Sequence, residues 1–209
     1  MGDKQRYKRL RLLFKQLNKN RKRQAQKIDI LCNDIIGTQR GFIKTLRTVS
    51  FSASFYESIV GMTDLNNLLC TAVKLIQTEN PDVNVTFFLR HPESFEIHAF
   101  ESGLPALLDA EHIENCFSQE LMDNICKSNN ICTLEDIFEM GLQGDLAGLN
   151  GVSGVTIPLG RFGSPLGFIL IHRSSQGKLT ADEIGNISAV TSGLSQAIAC
   201  CQSLSHATD

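Results

Sequence analysis

The first 50 residues carry apolar side chains at spacings of three and four, the period of an α-helix. From position 4 onward this stretch has no proline and only two glycines, Gly37 and Gly41. The apolar stripe consists of Leu10, Leu13, Leu17, Ile28, Leu31, Ile35, Phe42, Leu46 and Val49. Because so long a helix cannot bury its own stripe, we expect it to pair with a second copy or to fold back.

The stripe weakens between Asn18 and Lys27, where Ala25 is the one apolar residue, and it then continues through Phe55 and Ile59. Gly61 ends it. The pattern predicts either two helices or one long helix kinked near its two internal glycines.

The next segments alternate between helical and strand periods. Thr63 is the predicted N-cap of a helix over 65–76, and Asp64 adds favourable negative charge at its start. Apolar residues then alternate with polar ones over 83–89 and again over 95–99, with a turn between them. This pattern predicts a β-hairpin.

The second half of the domain follows the same order. A helical period over 103–128 (Ile113, Phe117, Leu121, Ile125) is followed by a short strand near 130–133 and a glycine-rich stretch, 136–152, that we expect to be a flexible loop. Two strands, 152–159 and 166–172, are joined by a turn-rich hairpin connection. Thr180 and Glu183 form a capping box at the start of the last helix.

This order of elements predicts an α+β fold with an antiparallel sheet, helices packed on one face and a long amphipathic helix in front. We expect a basic helical arm over residues 1–61 that oligomerises, and a globular domain over residues 62–209.

Charge divides the chain in the same way. Residues 1–47 carry 14 Lys or Arg side chains against three Asp, a net charge of +11, whereas the remainder carries six basic side chains against 19 acidic ones, a net charge of −13. Three interpretations of the basic arm compete. It binds nucleic-acid phosphates, or it lies on anionic lipid, or it is an oligomerisation helix whose charges are solvated or meet an acidic partner such as the domain of a neighbouring copy. The last of these is favoured because the apolar stripe runs into the domain. The candidate contact residues are Lys8, Arg9, Arg11, Arg21, Lys22 and Arg23.

Residues 64–203 contain phrases that resemble the GAF family: LNNLLCTAVKLIQ, VNVTFFLR, GVTIPLGRFGSPLGFILIHRSS and KLTADEIGNISAVTSGLSQAIA, the last with Leu179 where the family commonly has Phe. The resemblance implies the same antiparallel fold and a sensory, regulatory role. It leaves the ligand open, because family members bind cyclic nucleotides, tetrapyrroles, small metabolites or nothing detectable.

We therefore expect a non-enzymatic signalling protein that senses a small molecule or partner and transmits the change through a dimerising helix. No secretory signal or membrane span is evident, so a cytoplasmic location is expected. The alternative is an adaptor with an empty pocket, whose basic arm recruits an anionic partner.

One face of the predicted sheet is free to line a ligand cavity under the 136–152 loop. The predicted lining consists of Phe88, Phe100, Cys132, Phe138, Ser153 and Thr156, with ordinary core packing as the alternative. A nucleotide or another small molecule would suit such a cavity. Haem or a metal is disfavoured because His98, His112 and His172 have no ligand-like spacing, and we interpret Glu135, Asp136 and Glu139 as a solvated acidic face.

The chain has seven cysteines and no CxxC pair, so we expect free thiols. Cys116 and Cys126 lie ten apart, as two cysteines do in the free methionine sulfoxide reductases of this family. The loop that carries the nucleophile of those enzymes corresponds to GLQGDLAGLNGVSGV here and contains no cysteine, so this activity is disfavoured. A redox-sensing role for Cys116, Cys126 and Cys132 stays open, with plain packing favoured over it.

Overall fold

The computed structural model describes residues 3–92, 94–100, 116–142, 152–161, 164–174 and 177–205. It divides the chain into two compact units, Met1–Val49 and Ser50–Asp209. The elements in chain order are α1 (Asp3–Ile59), α2 (Leu65–Glu79), β1 (Asn84–Arg90), β2 (Phe95–Phe100), α3 (Gln119–Ser128), β3 (Cys132–Thr133), α4 (Leu134–Glu139), β4 (Val152–Arg161), β5 (Ser164–Ser174) and α5 (Ala181–Ser205).

The first unit consists of α1 up to Val49. The helix is a single element that contains both Gly37 and Gly41, so the two-helix interpretation of the sequence is wrong. All nine residues of the predicted apolar stripe are exposed, each with more than half of its surface accessible.

The last turns of α1 belong to the second unit. Phe55 and Ile59 are buried in the domain core, and Phe51 and Tyr56 pack against it. The sequence pattern predicted that the domain begins after Gly61. The second compact unit begins earlier, at Ser50, because these aromatic and aliphatic side chains are part of the domain.

The domain is built on a five-stranded sheet with the order β2-β1-β5-β4-β3, in which every neighbouring pair is antiparallel. The central strand β5 needs glycine at position 167. Gly167 has a φ of +139°, and a Cβ there would overlap the carbonyl oxygen of Phe88 on β1. This close approach brings the two strands together at the level of Phe88 and Phe168.

The end of α1 with α2 and α5 covers the first face of the sheet. Their apolar side chains pack against Val85, Phe87 and Leu89 of β1 and the in-phase residues of β4 and β5. The N-cap of α2 is Asp64, whose carboxylate accepts a 2.7 Å hydrogen bond from the Asn67 amide, so the prediction of Thr63 as the cap is wrong by one residue.

The start of α5 is fixed by the predicted capping box. Glu183 accepts hydrogen bonds from the Thr180 amide and hydroxyl, and Thr180 accepts one from the Glu183 amide. The buried Arg173 of β5 also donates to both Glu183 carboxylate oxygens at 3.0 Å and lies 3.3 Å from Asp82. One arginine thus ties the α5 start to the turn before β1.

The second face carries α3 and α4, a layer that the sequence analysis did not include. Leu121, Met122 and Ile125 of α3 and Ile137 of α4 pack with Phe88, Phe168 and Leu170 of the sheet. Residues 136–139 are helical, so the prediction of a loop over 136–152 is wrong for them. Thr133 and Asp136 cap α4 reciprocally, which a loop interpretation overlooks. Positions 143–151, and Ile113 of the predicted 103–128 helix, lie outside the described residues.

Candidate functional site

Four polar side chains lie on the second face of the sheet, among the apolar residues that α3 and α4 cover. Strand alternation places Asn84 and Thr86 in phase with Phe88, and His172 in phase with Leu170. Asn84 pairs with His172 across β1 and β5, while Thr86 and Thr156 flank Leu170 from the two sides. We call Asn84, Thr86, Thr156 and His172 the polar cluster.

Every member of the polar cluster is buried, and Thr156 is completely inaccessible. Its hydroxyl has no hydrogen-bond partner within the part of the chain that the structure describes. A buried polar group without a partner costs about 1–3 kcal/mol of stability. The fold therefore bears an energetic cost at this position that a valine of the same shape would avoid.

The Thr156 hydroxyl differs from the other buried polar atoms that lack a geometrically ideal hydrogen bond. His98 Nε2 lies 3.1 Å from a Glu96 carboxylate oxygen, and Asp123 Oδ1 lies 3.1 Å from Arg90 Nη2. Both have a polar neighbour that lowers the cost of burial. Of the three, Thr156 is the one with neither a hydrogen bond nor an ion pair recorded among the described residues.

His172 contributes a neutral imidazole to the polar cluster. Burial alone lowers the pKa of His172 to about 4, because removing the ring from water disfavours the charged form. At neutral pH the ring therefore offers one N–H donor and one nitrogen acceptor and carries no charge.

An aromatic stack fills the adjoining part of the second face. The rings of Phe88 and Phe168 stack with centroids 4.5 Å apart, and Phe117 lies 4.9 Å from Phe88. Phe88 and Phe168 are fully buried. The stack is thus an apolar wall beside the polar cluster.

The structure brings together four of the six residues predicted to line a cavity. Phe88, Cys132 and Thr156 lie on the second face, and Phe138 packs against the same cluster. Thr156 contributes the hydroxyl group of this set.

Phe100 and Ser153 lie on the first face and do not join the others. Phe100 packs edge-on against Phe87, and the Ser153 hydroxyl accepts a hydrogen bond from the Leu179 amide in the approach to α5. The strand geometry explains both placements. The antiparallel register sets Phe100 opposite Val85, which is a first-face residue, and Ser153 lies three residues before Thr156 on β4, so its side chain points to the opposite face.

Three members of the polar cluster were missed by the sequence analysis. Asn84 and Thr86 occupy alternate positions of a strand that is otherwise apolar, a signal that period-two reasoning can detect. His172 was considered only as a metal ligand, although it is in phase with Phe168 and Leu170.

The cysteines predicted as possible redox residues have the environment of packing residues. Burial raises the pKa of the Cys126 thiol to about 11 and also raises the pKa of Cys116. Cys132 is buried, with its sulfur 3.5 Å from the Ser128 hydroxyl. A raised pKa suppresses the thiolate, which is the nucleophile in thiol chemistry.

The six basic residues proposed to contact an anionic partner are all exposed on α1. Within the described ranges, no group of three His, Cys, Asp or Glu side chains is arranged to hold a metal ion. None of the described helices combines the length and apolar character that a membrane crossing requires. His112 lies outside the described residues.

Comparison with known proteins gives similarity in structure but not in sequence. No protein-family model matches the chain, and no curated protein matches it. Among solved structures, the GAF domain of a phosphoenolpyruvate-protein phosphotransferase from Coxiella burnetii superposes with a TM-score of 0.58 at 12% identity, over 77% of this chain and 98% of that one. The corresponding domain from Acinetobacter gives 0.57 at 13% identity, over 77% and 98% of the two chains.

A GAF domain/HD domain protein from Geobacter sulfurreducens gives a TM-score of 0.53 at 15% identity, over 69% of this chain and 97% of the other. Similarity at this level of identity speaks for the fold alone, and it covers nearly the whole of each matched domain. The chain thus has the GAF-like α+β fold that its sequence predicts.

Proposed function

We propose that this chain is a non-enzymatic sensory protein. Its GAF-like domain binds a small uncharged molecule at the polar cluster, and a dimer formed through α1 transmits the response in the cytoplasm. The observation that carries the proposal is the Thr156 hydroxyl, which is fully buried without a partner among the described residues. A ligand that accepts or donates one hydrogen bond there would remove the cost of its burial.

The chemistry of the polar cluster favours an uncharged ligand with several hydrogen-bonding atoms. Its members are an amide, two hydroxyls and an imidazole held neutral by its lowered pKa. Burying an ionised ligand against neutral groups would cost far more than their hydrogen bonds return. A nucleobase-like or amide-like molecule fits this set, and its apolar edge would lie against Phe88 and Phe168.

A thiol-based reductase is the less favoured hypothesis for the function. The raised pKa of Cys126 opposes formation of a thiolate, without which attack on a sulfoxide has no nucleophile.

The route from the sheet to α1 is short within the domain. Val155 and Ile157 flank Thr156 and pack on the first face with α5, and Tyr56 of α1 donates a 3.1 Å hydrogen bond to the Ala189 carbonyl of α5. A small movement of β4 would therefore reach the end of α1 through one layer of packed side chains.

Native mass spectrometry of freshly purified protein tests the proposal. We expect the wild type to carry a mass that denaturation releases, or to gain one from a panel of uncharged nucleobases and amides. The Thr156→Val variant should bind at least about tenfold more weakly, because it loses one buried hydrogen bond.

Thr191→Val is the matched control, since Thr191 is a buried threonine of α5 whose hydroxyl donates to the Ser188 carbonyl. It should retain the ligand. Equal binding by all three proteins would place the ligand elsewhere. No bound mass under any condition would favour the adaptor.

The adaptor is supported by the six exposed basic residues of α1. It predicts that a labelled 20-mer DNA duplex binds with an affinity that falls steeply between 50 and 200 mM salt. Replacing Arg21, Lys22 and Arg23 with Gln should reduce both the affinity and the salt slope. A matched titration with anionic vesicles distinguishes a lipid surface from nucleic acid.

A further inference from the structure

Nine of the exposed apolar residues of α1 follow a heptad repeat. An apolar residue occurs at every seventh position from Tyr7 to Val49, with the single exception of Arg21, and the positions three residues after the first six of these hold three leucines and three polar residues. In the usual heptad notation these are the a and d positions, which form the seam of a coiled coil. The a residues are Tyr7, Phe14, Arg21, Ile28, Ile35, Phe42 and Val49. The d residues are Leu10, Leu17, Gln24, Leu31, Thr38 and Thr45.

We propose that a second copy of this chain covers the seam in an antiparallel arrangement, with Leu10 of each helix beside the partner's Val49. This inference rests on the dimer of the proposed function and specifies its orientation and register. The paired segment, 10–49, is about 60 Å long. It ends where the first compact unit ends, at Val49.

The seam itself favours this arrangement. In an antiparallel pair the a residues pack against d residues, so Phe42 meets the partner's Leu17 and Ile28 meets the partner's Leu31. Arg21 then lies opposite a threonine, the partner's Thr38. In a parallel pair Arg21 would face the partner's Arg21 across the seam, where two buried like charges are costly.

The flanking charges select one register. Lys27 and Asp34 occupy the g positions, just before a residues, and g faces g in an antiparallel pair. In the register above, Lys27 lies beside the partner's Asp34, and the symmetric contact repeats it. A shift by one heptad in one direction sets Lys27 against the partner's Lys27. A shift in the other direction sets Asp34 against the partner's Asp34.

The overall distribution of charge on α1 points the same way. Residues 1–23 carry ten basic side chains and one acidic one, whereas residues 24–49 carry four basic and two acidic ones. A parallel dimer would hold the two strongly basic halves side by side, within a Debye length of about 8 Å at physiological salt. The antiparallel dimer sets each strongly basic half against a nearly neutral one.

A charge-swap cycle on the full chain tests the proposal, with dimer dissociation constants from sedimentation equilibrium. Lys27→Asp and Asp34→Lys should each weaken the dimer by about tenfold, since each turns two attractive pairs into two repulsive ones. The double variant should return to within about twofold of the wild type. The two residues are seven apart on one helix, too far for a contact within the chain.

Lys22 and Asp29 provide the matched control, because they are also seven apart but occupy the outer b positions. Lys22→Asp and Asp29→Lys should show no rescue in combination. A dimer whose Lys27 and Asp34 effects simply add would overturn the antiparallel register and leave the dimer intact. A monomer at every concentration would instead overturn the dimer of the proposed function.

Spin labels provide an independent measurement. A label at Lys19→Cys, with the exposed Cys32 and Cys200 replaced by serine, lies beside position 40 of the partner in the proposed register. The two labels should then be separated by about 30 Å along the axis. A parallel dimer would bring them side by side, and a label separation below about 20 Å would rule out the antiparallel arrangement.

Discussion

At the scale of single residues, the buried hydroxyl groups of the domain differ in whether they stabilise it. Thr156 and Thr191 are both buried threonines, but the hydroxyl of Thr191 is satisfied by the Ser188 carbonyl and that of Thr156 has no partner in the described part of the chain. The same chemical change should therefore have opposite effects at the two positions.

We expect Thr156→Val to stabilise the ligand-free protein by about 1 kcal/mol, because it removes an unsatisfied buried hydroxyl at nearly constant volume. Thr191→Val should destabilise it by about 0.5–1 kcal/mol through the loss of a made hydrogen bond. Urea denaturation, with the slope unchanged between variants, measures both. A destabilised Thr156→Val protein would mean that the hydroxyl has a partner after all.

The buried imidazole of His172 makes a prediction about acid stability. The pKa of His172 in the folded state, about 4, lies below its ordinary value of 6.5, so the unfolded chain binds the proton more readily. This difference in pKa contributes to the free energy of unfolding. The contribution is fully present above pH 6.5 and is lost as the pH falls from 6.5 to 4. The loss amounts to roughly 3 kcal/mol.

His172→Gln should therefore show a shallower fall in the free energy of unfolding across this pH range than the wild type. His91 is the control, since it is only partly buried and is paired with Glu96 at 3.0 Å. If His91→Gln flattened the profile and His172→Gln did not, the burial of His172 would not be what makes the protein acid-sensitive.

At the scale of elements, the contact between α1 and α5 depends on a missing side chain. A Cβ at Gly193 of α5 would overlap the ring of Tyr56, whereas a Cβ at Gly185 of the same helix would meet nothing within 4 Å. Gly193→Ala should destabilise the domain by about 1–3 kcal/mol through overpacking. Gly185→Ala should stabilise it by up to about 1 kcal/mol through helix propensity.

Thermal unfolding of the two alanine variants checks this prediction. Combining Gly193→Ala with Tyr56→Leu provides a further test, since a smaller side chain at position 56 should recover part of the loss. An equal effect of alanine at both glycines would show that propensity, and not the Tyr56 contact, sets their energies.

The elements also show how far the sequence could lead. Local patterns predicted the long helix, the strand pairs and the Thr180 cap, because periodicity and capping depend on a few neighbouring residues. The cap at Asp64 and the helix after Thr133 were within reach of the same rules. The opposite faces of Ser153 and Thr156 were also within reach, since they lie three residues apart on one strand. The placement of Phe100 was not, since its face depends on the register between β1 and β2.

At the scale of the whole molecule, the point where the arm ends and the domain begins decides what a truncation does. The apolar stripe of α1 is continuous in sequence, but its environment changes after Val49. Up to that residue the stripe is exposed, and beyond it Phe55 and Ile59 are buried in the domain core. Sequence periodicity alone could not detect this change, because exposed seam and buried core have the same spacing.

We expect a chain beginning at residue 50 to be monomeric and to unfold cooperatively, since it loses the heptad seam and keeps the core. A chain beginning at residue 62 also loses Phe55, Tyr56 and Ile59. Removing a fully buried aromatic side chain costs about 3–5 kcal/mol by itself, and a domain has only about 5–15 kcal/mol to lose.

Sedimentation equilibrium and urea denaturation of the two truncated chains measure both effects. If the shorter chain were as stable as the longer one, the end of α1 would be packed on the domain without contributing to it, and signals could not pass through that contact. If the longer chain remained dimeric, the dimer interface would belong to the domain and the exposed seam of α1 would need another partner. A stable monomer beginning at residue 50 would instead assign dimerisation to the arm and leave sensing to a domain that folds without it.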